Sequence, residues 1–376
     1  MLRKRIPIAE PSLSNNEEKY VLECIRTGWI SGKGKFVNEF EERFADYLNV
    51  NHAIAVSSGT AALHLAIVAL GIGPDDEVIL PTFTMIACAN VVRYAGAKPV
   101  LVDSELYTWN LDPSKIEEKI TERTKAIMVV HIYGHPANMD PIMEIAREYN
   151  LYIIEDAAEA HGAEYKGRKV GSIGDVGCFS FYANKIITTG EGGMVATNDD
   201  EIAEKIRKLR DQGYNPKLRR WLIHDIIGFN YRMTNLQAAI GLAQLERIEE
   251  FIKRHRENAY YYNKLLKNIP GITLPPEAPW AKNVYWMYTV LIEDNFGISR
   301  DNLMKILLEK YNIDTRATFC PIHLQPPYKE SYKNENYPIA EKLWEKGINL
   351  PSGNTLTKEQ IKYIVDAIRE IRQRRA

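Results

Sequence analysis

The chain has 376 residues, with 48 Lys or Arg against 49 Asp or Glu and a formal net charge of -1. That length buries a substantial core and exceeds one compact domain, and the near-neutral balance removes any global electrostatic reason to bind nucleic acid or an anionic membrane. No run approaches the roughly 20 apolar residues of a membrane span, and the basic start MLRKR lacks the apolar stretch of a secretory signal, so a cytoplasmic protein is expected.

Ser14 reads as the N-cap of a helix, EEKYVLECIRT, that stops at Gly28, and Phe36, Phe40 and Phe44 then form an apolar stripe at helical spacing. From His52 onward the short β-rich runs AIAV, EVIL, PVLVD and AIMVVHIY alternate with the helical stretches TAALHLAIVALG, ACANVVRYAG and MDPIMEIAREYN. This alternation predicts βαβ crossovers and a parallel sheet covered on both faces. LYIIED, GCFSF and GGMVATN add three strands, bringing the sheet to about seven, and DDEIAEKIRKLRDQG is amphipathic. One long helical pattern, LQAAIGLAQLERIEEFIKRHRENAYYYNKLL, leads to a region of different rhythm in which YWMYTVLIE reads as a strand and SRDNLMKILLEKYN and EQIKYIVDAIREIRQRR as helices. The expected architecture is a large α/β domain over residues 1–245, three-layered as α/β/α and mostly parallel, with a smaller α+β domain over residues 246–376.

Cys24, Cys88, Cys178 and Cys320 lie far apart without metal-type spacing, and they read as small buried apolar residues. No metal site is expected.

The stretch FSFYANKIITTGEGGM isolates Lys185 between a strand and a glycine-rich turn, with Ser180 and Thr188/Thr189 on either side. Most lysines are surface charges. A nucleophilic one must lose its proton, which from a pKa of about 10.4 costs roughly 4–5 kcal/mol at neutral pH. A pyridoxal phosphate (PLP) imine removes most of that cost, and it makes two further demands: backbone N–H groups for the phosphate and a carboxylate for the ring nitrogen. VSSGTAALHLA meets the first, because a strand ending at Val56 runs through Ser57, Ser58, Gly59 and Thr60 straight into a helix. The same strand–turn–helix also occurs without a ligand. LYIIEDAAEA meets the second by delivering Asp156 to the carboxyl edge of the sheet, where a simple helix cap is the competing reading. Glu159 is placed either near the cofactor's phenolic oxygen or in solvent.

Together, SSGTAALHLA, PTFTMIACAN, IEDAAEAHGAEYKGRKVGSIGDVGCFSFYANKIITTGEGGM and GFNYRMTNLQAAIGLAQLERI resemble the DegT/DnrJ/EryC1/StrS family of nucleotide-sugar aminotransferases, in order and over nearly the whole chain. The resemblance implies the fold type I arrangement of PLP enzymes, with Lys185 as Schiff-base lysine and proton carrier, Asp156 as partner of the ring nitrogen, and Glu159 near its hydroxyl. It also implies a phosphate site from Ser58, Gly59, Thr60 and Ser180, and a homodimer with shared active sites in which Asn230 reaches the neighbouring subunit's cofactor. Met85 stands where many relatives place an aromatic residue over the ring. The blocks EPSLSNNEEKYVLECIRTGWISGKGKFV, YWMYTV and GINLPS resemble members that aminate C4 of GDP-4-keto-6-deoxy-D-mannose with L-glutamate; a UDP- or dTDP-linked keto sugar is the alternative. Lys185 argues against the family's dehydratase branch, which carries histidine there. Lys33, Lys217, Arg219 and Arg220 are candidates for the diphosphate and His323 for the sugar pocket, each weighed against a solvated or packing role. A non-catalytic PLP-binding regulator is the remaining reading, opposed by Lys185, Asp156 and Ser180 all standing in matching contexts.

Overall fold

The computed structural model describes residues 5–374 except 216, 217 and 219–222. Two helices open the chain: α1 (Glu17–Thr27), closed by Gly28 at φ 74°, and α2 (Lys35–Leu48), which buries Phe36, Phe40 and Phe44. The α1 cap differs from expectation, since the N-cap position is Asn16 and Ser14 Oγ instead accepts a hydrogen bond from Arg247.

The central sheet contains β1 (His52–Val56), β2 (Glu77–Pro81), β3 (Lys98–Val102), β4 (Thr124–Val130), β5 (Tyr152–Asp156), β6 (Val176–Ser180) and β7 (Gly193–Thr197). Their spatial order is β1-β7-β6-β5-β4-β2-β3, and β7 alone runs antiparallel to its neighbours. All five residues of β2 and of β7 are buried, which requires cover on both faces and explains why these strands read as continuous apolar runs. The cover comes from α3 (Gly59–Ala69), α4 (Ala87–Tyr94), α5 (Met139–Glu148) and α6 (Asp200–Arg210), together with α2 and with α7 (Asn235–Leu245), which packs on α1 and α2.

The long helical pattern after Asn235 is two helices. α7 ends at Leu245 and α8 runs Ile248–Leu266. Periodicity continues through the break, but both intervening side chains are tied elsewhere: Glu246 accepts from Asn16 and from Tyr20 Oη, and Arg247 bonds Ser14 and Glu250. Arg247 has φ -116° and ψ 9°, outside the helical region.

α8 spans two cores. Ile248, Phe251 and Ile252 belong to the one under the large sheet; Ala259, Tyr262 and Leu266 belong to a second one. The second core lies under an antiparallel sheet of β8 (Ile272–Thr273), β9 (Tyr288–Ile292), β10 (Arg316–Ala317) and β11 (Gly347–Leu350), ordered β8-β9-β11-β10, with α9 (Arg300–Tyr311) and α11 (Lys358–Gln373). The strand expected from Tyr285 starts at Tyr288, and α10 (Pro338–Lys346) is an element the pattern did not reveal.

Candidate active site

Six strands end at one edge of the large sheet, and the polar residues of the site come from the carboxyl ends of some of them and the turns that follow. β6 delivers Ser180, after which residues 181–192 fold on themselves. Thr188 Oγ1 donates to the Phe181 carbonyl at 3.0 Å and Thr189 Oγ1 to the Glu191 carbonyl at 2.6 Å, so these hydroxyls shape the loop. Ile186 and Ile187 are buried and pin it. Lys185, immediately before them, leaves only 10% of its side chain exposed. Its Nζ lies 3.8 Å from Glu159 Oε1 and 3.7 Å from the centroid of the Trp286 ring. Trp286 is fixed by its Nε1–H, which donates to the Asn184 carbonyl at 2.7 Å. Burial lowers the basicity of the Lys185 amine, and the charges of Glu159 and Asp156 restore part of it.

Two carboxylates approach from β5 and the turn after it. Asp156 is 6% exposed; its Oδ1 accepts the Ala158 N–H at 3.0 Å and its Oδ2 a hydrogen bond from Cys88 Sγ at 3.1 Å. The first contact closes a local turn, with no helix following for Asp156 to cap, and the second is long-range. Glu159 is buried, so its reading as a solvent charge is corrected. Oε2 accepts the Tyr133 N–H at 2.8 Å, and burial raises its carboxyl to about 7. Tyr133 has φ 52°, a left-handed conformation that non-glycine residues rarely adopt. It is held there on three sides: the amide on Glu159, the hydroxyl accepting the Phe319 N–H at 3.0 Å, and the ring stacked on Phe319 and Trp286.

Ser58 caps α3 through an Oγ that accepts the Ala61 N–H at 3.1 Å. Among the described residues the N–H groups of Gly59 and Thr60 have no partner, so the positive end of α3 presents two free donors. Gly59 is required by proximity, since a Cβ there would lie 2.7 Å from Ser180 Cβ. The start of α3 thereby meets the end of β6, and Ser180 Oγ lies 3.2 Å from that Cβ position, close to the free donors. This cradle, the buried amine and the buried Asp156 match what PLP demands of phosphate, aldehyde and ring nitrogen.

The remaining candidates fall differently. Met85, two residues before α4, is 49% exposed. Asn230 is exposed and bridges to Asp211 at the surface of its own chain. Lys33 is exposed, whereas its neighbour Lys35 pairs with Glu23. Lys217, Arg219 and Arg220 lie outside the described residues. His323 takes the packing role: it is buried, Nδ1 lies 2.8 Å from Thr82 Oγ1 and Nε2 3.2 Å from Glu341, and the ring sits on Tyr337. Sequence reasoning missed Cys88, Tyr133 and Trp286. It also missed His161, which is buried between Phe179 and Phe181 with neither ring nitrogen hydrogen-bonded. No local pattern singles these out. His161 is kept neutral by burial, its pKa lowered to about 3.

Comparison with known proteins places this arrangement among the PLP-dependent aminotransferases. The chain belongs to the DegT/DnrJ/EryC1/StrS aminotransferase family, whose model matches residues 11–369. It is 52% identical over 368 residues to GDP-perosamine synthase of Caulobacter vibrioides, covering 98% of each chain, and 48% identical over 367 residues to GDP-perosamine synthase of Escherichia coli O157:H7, again covering 98% of each. The crystal structure of S. venezuelae DesV superposes with a TM-score of 0.91 at 36% identity, covering 98% of this chain and 99% of that one.

Proposed function

We propose that the protein converts a GDP-linked 4-keto-6-deoxy sugar to the 4-amino sugar with L-glutamate as amino donor, the substrate being GDP-4-keto-6-deoxy-D-mannose and the product GDP-perosamine. The observation that carries this reading is end-to-end identity of about half with two proteins bearing the name GDP-perosamine synthase.

In this reading Lys185 holds PLP through its amine, Asp156 keeps the ring nitrogen protonated, and Glu159 faces the ring hydroxyl. The Gly59 and Thr60 N–H groups, Ser58 and Ser180 take the phosphate. PLP, when bound, supplies the electron sink that makes a carbon next to nitrogen acidic. Lys185 Nζ then does the proton work. In the first half-reaction it removes the α-proton of glutamate, and in the second it returns a proton to C4 of the sugar. Lowered basicity suits that task, because an amine buried beside Trp286 and Glu159 gives up its proton near neutral pH more readily than a surface lysine. Met85 covers one face of the ring by dispersion. Asn230 reaches the phosphate of a second copy, which makes the working unit a homodimer. Lys33 pairs with the diphosphate, and Lys217, Arg219 and Arg220 remain its candidate partners on sequence grounds.

Turnover of GDP-, UDP- and dTDP-linked 4-keto-6-deoxy sugars with glutamate, side by side, tests the nucleotide. The expected result is a preference for GDP of about tenfold or more in kcat/KM, equal to about 1.4 kcal/mol of differential binding. Faster conversion of a UDP or dTDP sugar would replace this substrate with that one.

A further inference from the structure

Asp156 is braced from behind by a side chain of another element. Cys88, in the first turn of α4, is fully buried, and its Sγ lies 3.1 Å from Asp156 Oδ2 and 3.4 Å from Thr84 Oγ1. A thiol has one proton to donate, and an ionised carboxylate can only accept. With Asp156 ionised, the Cys88 proton points to Oδ2, and the Thr84 hydroxyl must be the donor to sulfur. The three groups form a one-way relay from hydroxyl to thiol to carboxylate, each bond polarising the next. Burial, reinforced by the Asp156 charge, holds the Cys88 thiol far above its usual range, so the sulfur stays a neutral donor. Cys178 on β6 supplies a built-in contrast, being equally buried and within electrostatic reach of Asp156 but making no side-chain hydrogen bond among the described residues.

We propose that Cys88 is a positioning residue for Asp156: its S–H, backed by Thr84, fixes Oδ2 while withdrawing little charge from it. A thiol is a weak donor, so the carboxylate is oriented without losing the basicity needed to hold a proton on the cofactor's ring nitrogen. The inference rests on the role proposed for Asp156 above and adds the group that aims it. The titratable groups facing Asp156 are Cys88 from α4, Cys178 from β6, and Glu159 and Lys185 from the loops at the sheet edge.

The test compares wild type with Cys88→Ser, Cys88→Ala, Cys178→Ala and Asp156→Asn. In cofactor-free protein the infrared S–H stretching band lost in Cys88→Ser is expected at lower frequency than the band lost in Cys178→Ala, and it should move upward in Asp156→Asn. In PLP titrations of the same proteins, Cys88→Ala is expected to raise Kd about three- to tenfold, the range of one modest hydrogen bond, and to shift the pH at which the visible band of the loaded enzyme changes. Cys88→Ser should restore Kd to within about twofold, because a hydroxyl can donate in place of the thiol. Cys178→Ala should leave both readouts near wild type. A Cys88 band indifferent to Asp156→Asn, or equal effects of Cys88→Ala and Cys178→Ala, overturns the proposal even if Cys88→Ala folds poorly. If Asp156→Asn itself leaves PLP affinity and the visible band unchanged, the reading of Asp156 fails and this inference with it; failure confined to the Cys88 variants removes the inference alone.

Discussion

Lys185 Nζ and Glu159 Oε1 face each other at 3.8 Å from behind side chains that are nine-tenths buried. Burial acts on both, lowering the amine from 10.5 and raising the carboxyl from 4.5 to about 7, while each charge opposes the shift of the other. Between pH 4.5 and 7 the folded chain therefore binds a Glu159 proton that the unfolded chain has released, and the contribution of this group to stability falls as pH rises through that window. Glu159→Gln removes the slope. The urea midpoint of the cofactor-free variant should gain on wild type between pH 4.5 and 7, and a constant difference across that range would contradict the burial of Glu159 as a titrating group. Lys185→Ala should lower transamination by about 10²–10⁴-fold or more and leave no borohydride-reducible adduct on the peptide around position 185. Gly59→Ala brings a methyl group against Ser180 Cβ. PLP retention should weaken by at least about tenfold, read by dialysis of the loaded protein, and retention equal to wild type would mean that the cradle does not hold the phosphate.

At the scale of elements, helix ends and turns carry the chemistry while helix bodies carry the packing. The first turn of α3 leaves the Gly59 and Thr60 N–H groups without a partner among the described residues, as the proposed phosphate site needs; α7, which only packs, is closed by a full capping box. Thr234 Oγ1 accepts the Gln237 N–H at 3.2 Å, and Gln237 Oε1 accepts the Thr234 N–H at 2.9 Å. Thr234→Ala should cost about 1 kcal/mol, seen as a lower urea midpoint at unchanged slope, with PLP affinity unaffected. Tyr133 shows the opposite use of a turn. A left-handed tyrosine is strained, and it persists because the amide on Glu159, the hydroxyl on Phe319 and the stacked ring together over-determine it.

Across the whole molecule the first core takes in α8 as far as Ile252 and also Val284, Trp286 and Leu343 farther along, while Ile6 joins the second, so the two cores interleave along the chain; a domain division at Leu245/Glu246, where α7 and α8 break, stays a proposal. Exposed large apolar residues concentrate in α1 and just beyond it, at Leu22, Ile25, Trp29 and Ile30, and again at Ile223, Ile226 and Ile227. Apolar surface of this kind marks an interaction site, and the segment ending at Asn230 is the one proposed to serve a second copy. If sites are shared, mixing Lys185→Ala with Asn230→Ala under exchange conditions should regain activity that neither variant has alone, because one site of each mixed pair is then intact. Two inactive variants that stay inactive when mixed would show that Asn230 serves its own chain. Among the described residues no helix is long and apolar enough to cross a membrane.

The chain order of most strands and helices, Asp156 at a strand end and Lys185 in the loop after a strand were legible in the sequence, because periodicity, caps and glycine-rich turns are local. AIAV, EVIL and GGMVATN became strands within a residue or two of their apolar limits. What depended on distant contacts was decided only in the folded molecule. The break at Glu246 and Arg247 follows from ties to α1 and Ser14, and the packing role of His323 from Thr82 and Glu341. Trp286 over the amine, Tyr133 under Glu159 and Cys88 behind Asp156 each join residues more than 20 positions apart, and no spacing rule along a chain encodes a contact made by the packing of separate elements.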